Sequence, residues 1–151
     1  MKKHSERAME LFAEGYNCAQ AVLIAFCDET GLTEKTAAKM ASSFGGGIGR
    51  MREVCGAVSG MCMALGLISG YDDPNDTAAK KEQYKTVQKL VGEFKEQNGS
   101  MVCRELLGLT EKSSSPEPAP RTNEYYKKRP CIELVGQCAD ILERYLEENQ
   151  K

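Results

Sequence analysis

The chain has 151 residues, of which 41% are hydrophobic and 28% charged, a balance that suits one soluble globular domain with a real core. Its net charge of −2 gives no electrostatic case for nucleic acid or for an anionic membrane surface. Seven cysteines and a single histidine, His4, exclude Ser-His-Asp and Cys-His catalysis as the expected chemistry, together with mixed Cys/His zinc sites.

Taken in order, MKKHSERAMELF contains no apolar secretory h-region, so a cytoplasmic setting with reduced thiols is expected. His4 is expected at a frayed end. Ser5 is placed as the cap of a first helix that stops at Gly15. Asn17 caps a second helix, with Cys18 in its first turn and Cys27 nine residues on, about 180° away. Thr33 caps a third helix reaching about Ser43.

A glycine-rich turn follows, FGGGIG, then Arg50 and Arg52, and then an uncharged run of 18 residues from Val54 to Tyr71. The run's four glycines and two serines make it a buried core helix rather than a membrane span. Gly56, Gly60 and Ala64 put small residues along one face, where another backbone can come close. The glycine turn lacks a Walker A ending and a preceding strand, so it reads as a tight packing turn beside Cys55 and not as a phosphate cradle.

Asn75 or Asp76 opens a helix to about Gln97, with Tyr84, Val87, Val91 and Phe94 as its inward stripe. Ser100 caps a short helix carrying Cys103. Residues 110–129, with their Ser113-Ser114-Ser115-Pro116 stretch, read as a long Pro/Ser-rich loop. A last helix starts at Pro130, with Cys131, Val135, Cys138, Leu142 and Tyr145 facing inward. The expectation is an all-α, single-domain bundle of about six helices spanning 1–151.

On this map Cys18, Cys55, Cys103 and Cys131 each fall in or near the first turn of a different helix. The N–H groups and partial positive charge there favour a thiolate, which is both nucleophile and metal ligand. Arg50 and Arg52 are expected to reinforce this at Cys55, with Arg104 and Arg129 beside Cys103 and Cys131. Cys27, Cys62 and Cys138 fall late or deep in helices, the latter two as core packing. The four helix-mouth cysteines are separated by 37, 48 and 28 residues without any Cys-x-x-Cys, so only folding can assemble them. Together they would suit a [2Fe–2S] cluster, zinc, or a reversible disulfide with Cys55 as the attacking thiolate.

These residues also carry a resemblance. CGAVSG at Cys55 to Gly60 fits Cys-Gly-Ala-x-x-Gly, with GYNCAQAV upstream and CRELLG and RPCIEL downstream. The chain resembles the C_GCAxxG_C_C family of redox-active proteins over nearly its whole length, FGGGIGR included. The resemblance implies that Cys18, Cys55, Cys103 and Cys131 are the functional set. The expectation is therefore a redox carrier or oxidoreductase, working by thiol/disulfide relay or metal centre. Its partner would be a redox protein, with a homo-oligomer open and neither nucleic acid nor membrane involved. The rival is a non-catalytic helical binding module, or a structural metal site, with inert cysteines.

Overall fold

A computed structural model describes residues 3–108, 115–118, 120–122 and 130–149. Eight α-helical segments are found among them: α1 (His4–Glu14), α2 (Cys18–Ala25), α3 (Cys27–Thr30), α4 (Glu34–Ala41), α5 (Gly56–Ser69), α6 (Thr77–Asn98), α7 (Cys103–Leu106) and α8 (Cys131–Asn149). The six of eight residues or more form an all-α bundle, and α3 and α7 are single turns. Only an isolated antiparallel bridge, Val54 to Val102, stands outside helix, turn and loop among the described residues. None of the described helices is long and apolar enough to cross a membrane.

Local sequence explains most of the boundaries. Asn17 accepts from the Gln20 backbone N–H while the Gln20 side chain returns to the Asn17 N–H, a complete capping box that fixes where α2 begins. Thr33 caps α4, and Asp76 caps α6. Gly15, Gly31 and Gly99 end helices in the left-handed conformation that lacks a steric cost only for glycine. Two expected starts move: Lys3 occupies the α1 cap, with Ser5 buried inside the helix, and Val102 precedes α7. Ser100 still organises that turn, accepting from the Val102 N–H and donating to Glu105.

The core lies where α2 and α5 meet α1 and α8, with Phe12, Phe26 and Phe94 its largest buried side chains. Ala19, Val22, Leu23, Val58, Met61, Leu65, Val135 and Leu142 are all buried in it. The small-residue face of α5 does what its spacing predicts. A Cβ on Gly60 would lie 2.6 Å from the Ala19 carbonyl oxygen, so α2 and α5 pack backbone to backbone there.

Three expectations are corrected. Cys27 is not on the Cys18 helix, because the chain leaves helical geometry at Phe26 and restarts as α3. Tyr84 is exposed, paired with Tyr71 near the end of α5, and the buried stripe of α6 is Leu90, Val91 and Phe94. His4 is no frayed residue. Its ring stacks on Phe26 at 4.2 Å, Nδ1 meets Glu143 at 2.8 Å and Nε2 meets Asp28 at 3.0 Å, tying α1 to α3 and α8. The expected Ser113-to-Ser115 stretch falls largely outside the described residues; Ser115 and Pro116 are exposed.

Candidate functional site

Four helix starts converge at one end of the bundle. Cys18 is the first residue of α2, Cys55 the residue before α5, Cys103 the first of α7 and Cys131 the first of α8. All four line one small cavity of about 70 Å³, closed by Phe12, Gly46, Arg52, Leu106, Leu107 and Leu134 among others. Cys55 and Cys103 are buried, and Cys18 and Cys131 are partly so. All seven cysteines are free thiols.

Two devices bring Cys18, Cys55 and Cys103 together, and the packing of α8 on α1, α2 and α5 adds Cys131. The first is a short ladder between residues 52–55 and 101–104. The Cys55 N–H donates to the Met101 carbonyl at 2.8 Å, and the Cys103 N–H donates to that of Glu53. Arg104 closes the ladder with a hydrogen bond to the Arg52 carbonyl and an ion pair to Glu53 at 3.2 Å. The second is the glycine-rich turn. Gly46, Gly47, Ile48, Gly49, Arg50 and Arg52 all have positive φ, so the chain makes a left-handed coil there. Its N–H groups bond back along it, Arg52 to Gly46 at 3.1 Å and Glu53 to Gly47 at 2.9 Å.

The glycines are needed for contact as well as for the coil. A Cβ on Gly47 would lie 2.7 Å from the Cys103 Cβ, one on Gly45 would meet Asn17 at 2.7 Å, and one on Gly56 would strike Cys18 Sγ. Each is tighter than packed atoms tolerate. The turn thus supports close packing around the cysteines, as its sequence suggested.

The electrostatics differ from the expectation in one respect. Burial pushes the Cys55 thiol well above its usual range, with Cys18 adding to the effect, and the N–H groups of Val58 and Ala57 offset only part of it. Burial also pushes Cys18 up against the opposing Gly46 N–H. The expected lowering of the Cys55 pKa is therefore corrected: removing a sulfur anion from water costs more than a helix terminus returns. Arg52, only 4% exposed, directs Nη1 to Cys103 Sγ at 3.7 Å. Arg50 lines a neighbouring, larger cleft. Arg104 serves the ladder, and Arg129 lies outside the described residues.

The remaining cysteines stand apart from the cavity lining. Cys138 is fully buried in α8 and Cys62 partly buried in α5, both with thiols raised by burial. Cys27 lines a surface hollow with His4, Arg7 and Asp28. Sequence reasoning missed Arg121. Its guanidinium spans the Phe12 and Tyr16 carbonyls at 2.7 and 3.0 Å, lies over the Phe12 ring, and closes the cysteine cavity. No helical or cysteine pattern marks it, since it sits in the Pro/Ser-rich loop.

The described helices thus gather four widely separated cysteines at one cavity without a Cys-x-x-Cys motif. The chain belongs to the family described as "Putative redox-active protein (C_GCAxxG_C_C)", whose profile matches residues 16–145. No curated protein and no solved structure matches the chain.

Proposed function

We propose that Cys18, Cys55, Cys103 and Cys131 form one redox site that cycles between thiols and a disulfide. The observation that supports this reading is the single cavity lined by all four. In the oxidising half-cycle two protein thiols lose two protons and two electrons as their S–S bond forms. A substrate or partner disulfide takes both electrons and both protons as its own S–S bond breaks.

Attack requires an anionic sulfur, so the attacking cysteine is the one that meets a cationic donor. Arg52 favours Cys103 for that role over Cys55. Cys55, buried and held as a thiol at rest, is the poorer nucleophile of the two.

A [2Fe–2S] cluster is the second reading, since four cysteines at one cavity match its ligand set. Cys18, Cys55, Cys103 and Cys131 would hold it, and bound there it would carry one electron. Mononuclear zinc fits less well. Tetrahedral zinc needs its sulfurs about 3.8 Å apart. The group whose ligand atoms lie within 4.8 Å of one another among the described residues is His4, Asp28 and Glu29, which contains no cysteine.

The test is anaerobic purification followed by a visible spectrum, iron and sulfide assay, thiol titration and disulfide mapping. The relay predicts metal-free protein that loses two thiols on mild oxidation, with Cys103 in the new bond. Iron with sulfide would select the cluster. Metal-free protein with uniformly slow thiols and no internal disulfide would leave the inert helical module.

A further inference from the structure

Arg121 stands between the four-cysteine cavity and a larger cleft of about 380 Å³, since it lines both. Pro116 and Pro118, from the same Pro/Ser-rich stretch, line the cleft but not the cavity. The described part of this stretch lies on the surface. Ser115, Pro116, Glu117, Pro118, Pro120 and Thr122 are exposed, and Arg121 turns inward from among them. Two hydrogen bonds of the stretch are local, the Thr122 N–H to the Pro120 carbonyl at 3.0 Å and the Glu117 N–H to Ser115 Oγ at 3.3 Å.

The end of α1 holds Arg121. Nη1 donates to the Phe12 carbonyl and Nη2 to the Tyr16 carbonyl, while the guanidinium lies 4.1 Å from the centre of the Phe12 ring. A helix C-terminus carries carbonyls without helical partners and a partial negative charge, so a cation is stabilised there. The last turn of α1 has no basic residue of its own. Arg121 supplies one from 109 residues along the chain. Its planar fork suits the place, because two N–H groups reach two carbonyls at once.

The other walls resist movement. Cys18, Cys55 and Cys131 sit at the starts of α2, α5 and α8, which form the buried core with α1. Cys103 is tied into the ladder between residues 52–55 and 101–104. An exposed segment with few buried apolar contacts opens at a lower free energy than a core helix does.

We propose that Arg121 is a latch on the cysteine cavity. Its grip on the end of α1 keeps the cavity closed, and its release opens the path from the larger cleft to the four thiols. The latch rests on how the cavity is built, and is the same whether the thiols form a disulfide or hold a cluster.

The test is native-state alkylation of the reduced protein by N-ethylmaleimide, read cysteine by cysteine by peptide mass spectrometry. Cys138, fully buried in α8 and outside the cavity lining, reports general opening. Cys27, in its surface hollow, reports thiol reactivity away from the cavity. In Arg121→Ala, Cys18 and Cys131 should label about tenfold faster, the scale of one hydrogen bond to a charged group. Cys138 and Cys27 should keep their rates. Arg121→Lys, which retains the charge and loses the fork, should fall between. Equal acceleration of Cys138 would mean general loosening and overturn the latch, and so would unchanged rates at Cys18 and Cys131.

Wild-type protein supplies a second measurement that needs no variant. A local opening exposes little surface, so labelling of Cys18 should rise with urea more shallowly than labelling of Cys138. The same slope at both cysteines would overturn the proposal, because the thiols would then be reached only by unfolding the bundle.

Discussion

At the scale of single residues, the cysteines are distinguished by what surrounds each sulfur. Cys55 and Cys18 sit where burial opposes ionisation, so both should alkylate slowly in the native state well into the alkaline range. Rapid labelling of Cys55 by iodoacetamide near neutrality, read by peptide mass spectrometry, would contradict this. Replacing Cys55 by Ser should abolish the site's redox or metal behaviour, whereas Cys62→Ser should mainly perturb packing, and equal effects would refute the division of the cysteines. Arg52→Met should slow disulfide exchange through Cys103 by about 10- to 100-fold, the worth of a charge-assisted hydrogen bond in a buried setting.

His4 gives a pH dependence that is independent of the thiols. Burial alone would lower its pKa from 6.5, but hydrogen bonds to Glu143 and Asp28 and their charges outweigh that, and the net shift is upward. Burial would raise Glu143, yet its bonds to the His4 backbone and ring bring it below its model-compound value of 4.5. The sign follows from linkage. The His4 contribution is fully present below 6.5 and is lost as pH rises through the elevated folded value. The Glu143 contribution is present above 4.5 and is lost as pH falls through the depressed one. Thermal unfolding should therefore show a loss of stability on the alkaline side of 6.5 that His4→Gln removes. An identical pH profile in wild type and variant would show that the stacked ring, and not its charge, ties α1 down.

At the scale of elements, the glycine coil and the α2–α5 contact decide whether a site exists. Gly60→Ala would push a methyl group against the Ala19 carbonyl and Val22, and overpacking of this kind costs about 1–3 kcal/mol. Urea titration should show the loss with the cysteine chemistry largely kept. Gly47→Ala is different in kind, because Gly47 has φ of +72° and its new Cβ would crowd Cys103 and the Glu53 N–H. Left-handed geometry alone costs a non-glycine residue about 1–2 kcal/mol. We expect Gly47→Ala to slow disulfide exchange more than Gly60→Ala at equal loss of stability. If exchange simply tracked stability in both variants, the coil would have no role in placing Cys103.

For the molecule as a whole, the bundle was legible where local chemistry and pattern agreed. Asn17, Thr33, Asp76, Gly15 and Gly99 mark helix ends by interactions with their own neighbours, and these survive in the fold unchanged. The break at Phe26 and the exposure of Tyr84 were not legible. Cys27 continues an apolar helical run in sequence, and Tyr84 keeps the inward period of α6, yet tertiary packing assigns α6 fewer buried positions than its pattern offers.

The same division runs through the site. Sequence by itself placed the four cysteines in or near the starts of four helices, most firmly at Cys18, where the Asn17 capping box acts over a few residues, and least firmly at Cys55, whose helix has no side-chain cap. Only the tertiary structure decided that all four line one cavity, since Cys18, Cys55 and Cys103 meet through the ladder and the left-handed coil and Cys131 arrives with the packing of α8 on α1, α2 and α5. It alone gave Arg52 to Cys103 and brought Arg121 from a loop without pattern to the mouth of the cavity. It also reversed the expected ionisation of Cys55, because desolvation depends on what the whole chain packs around a sulfur and the helix dipole only on the turn that follows it.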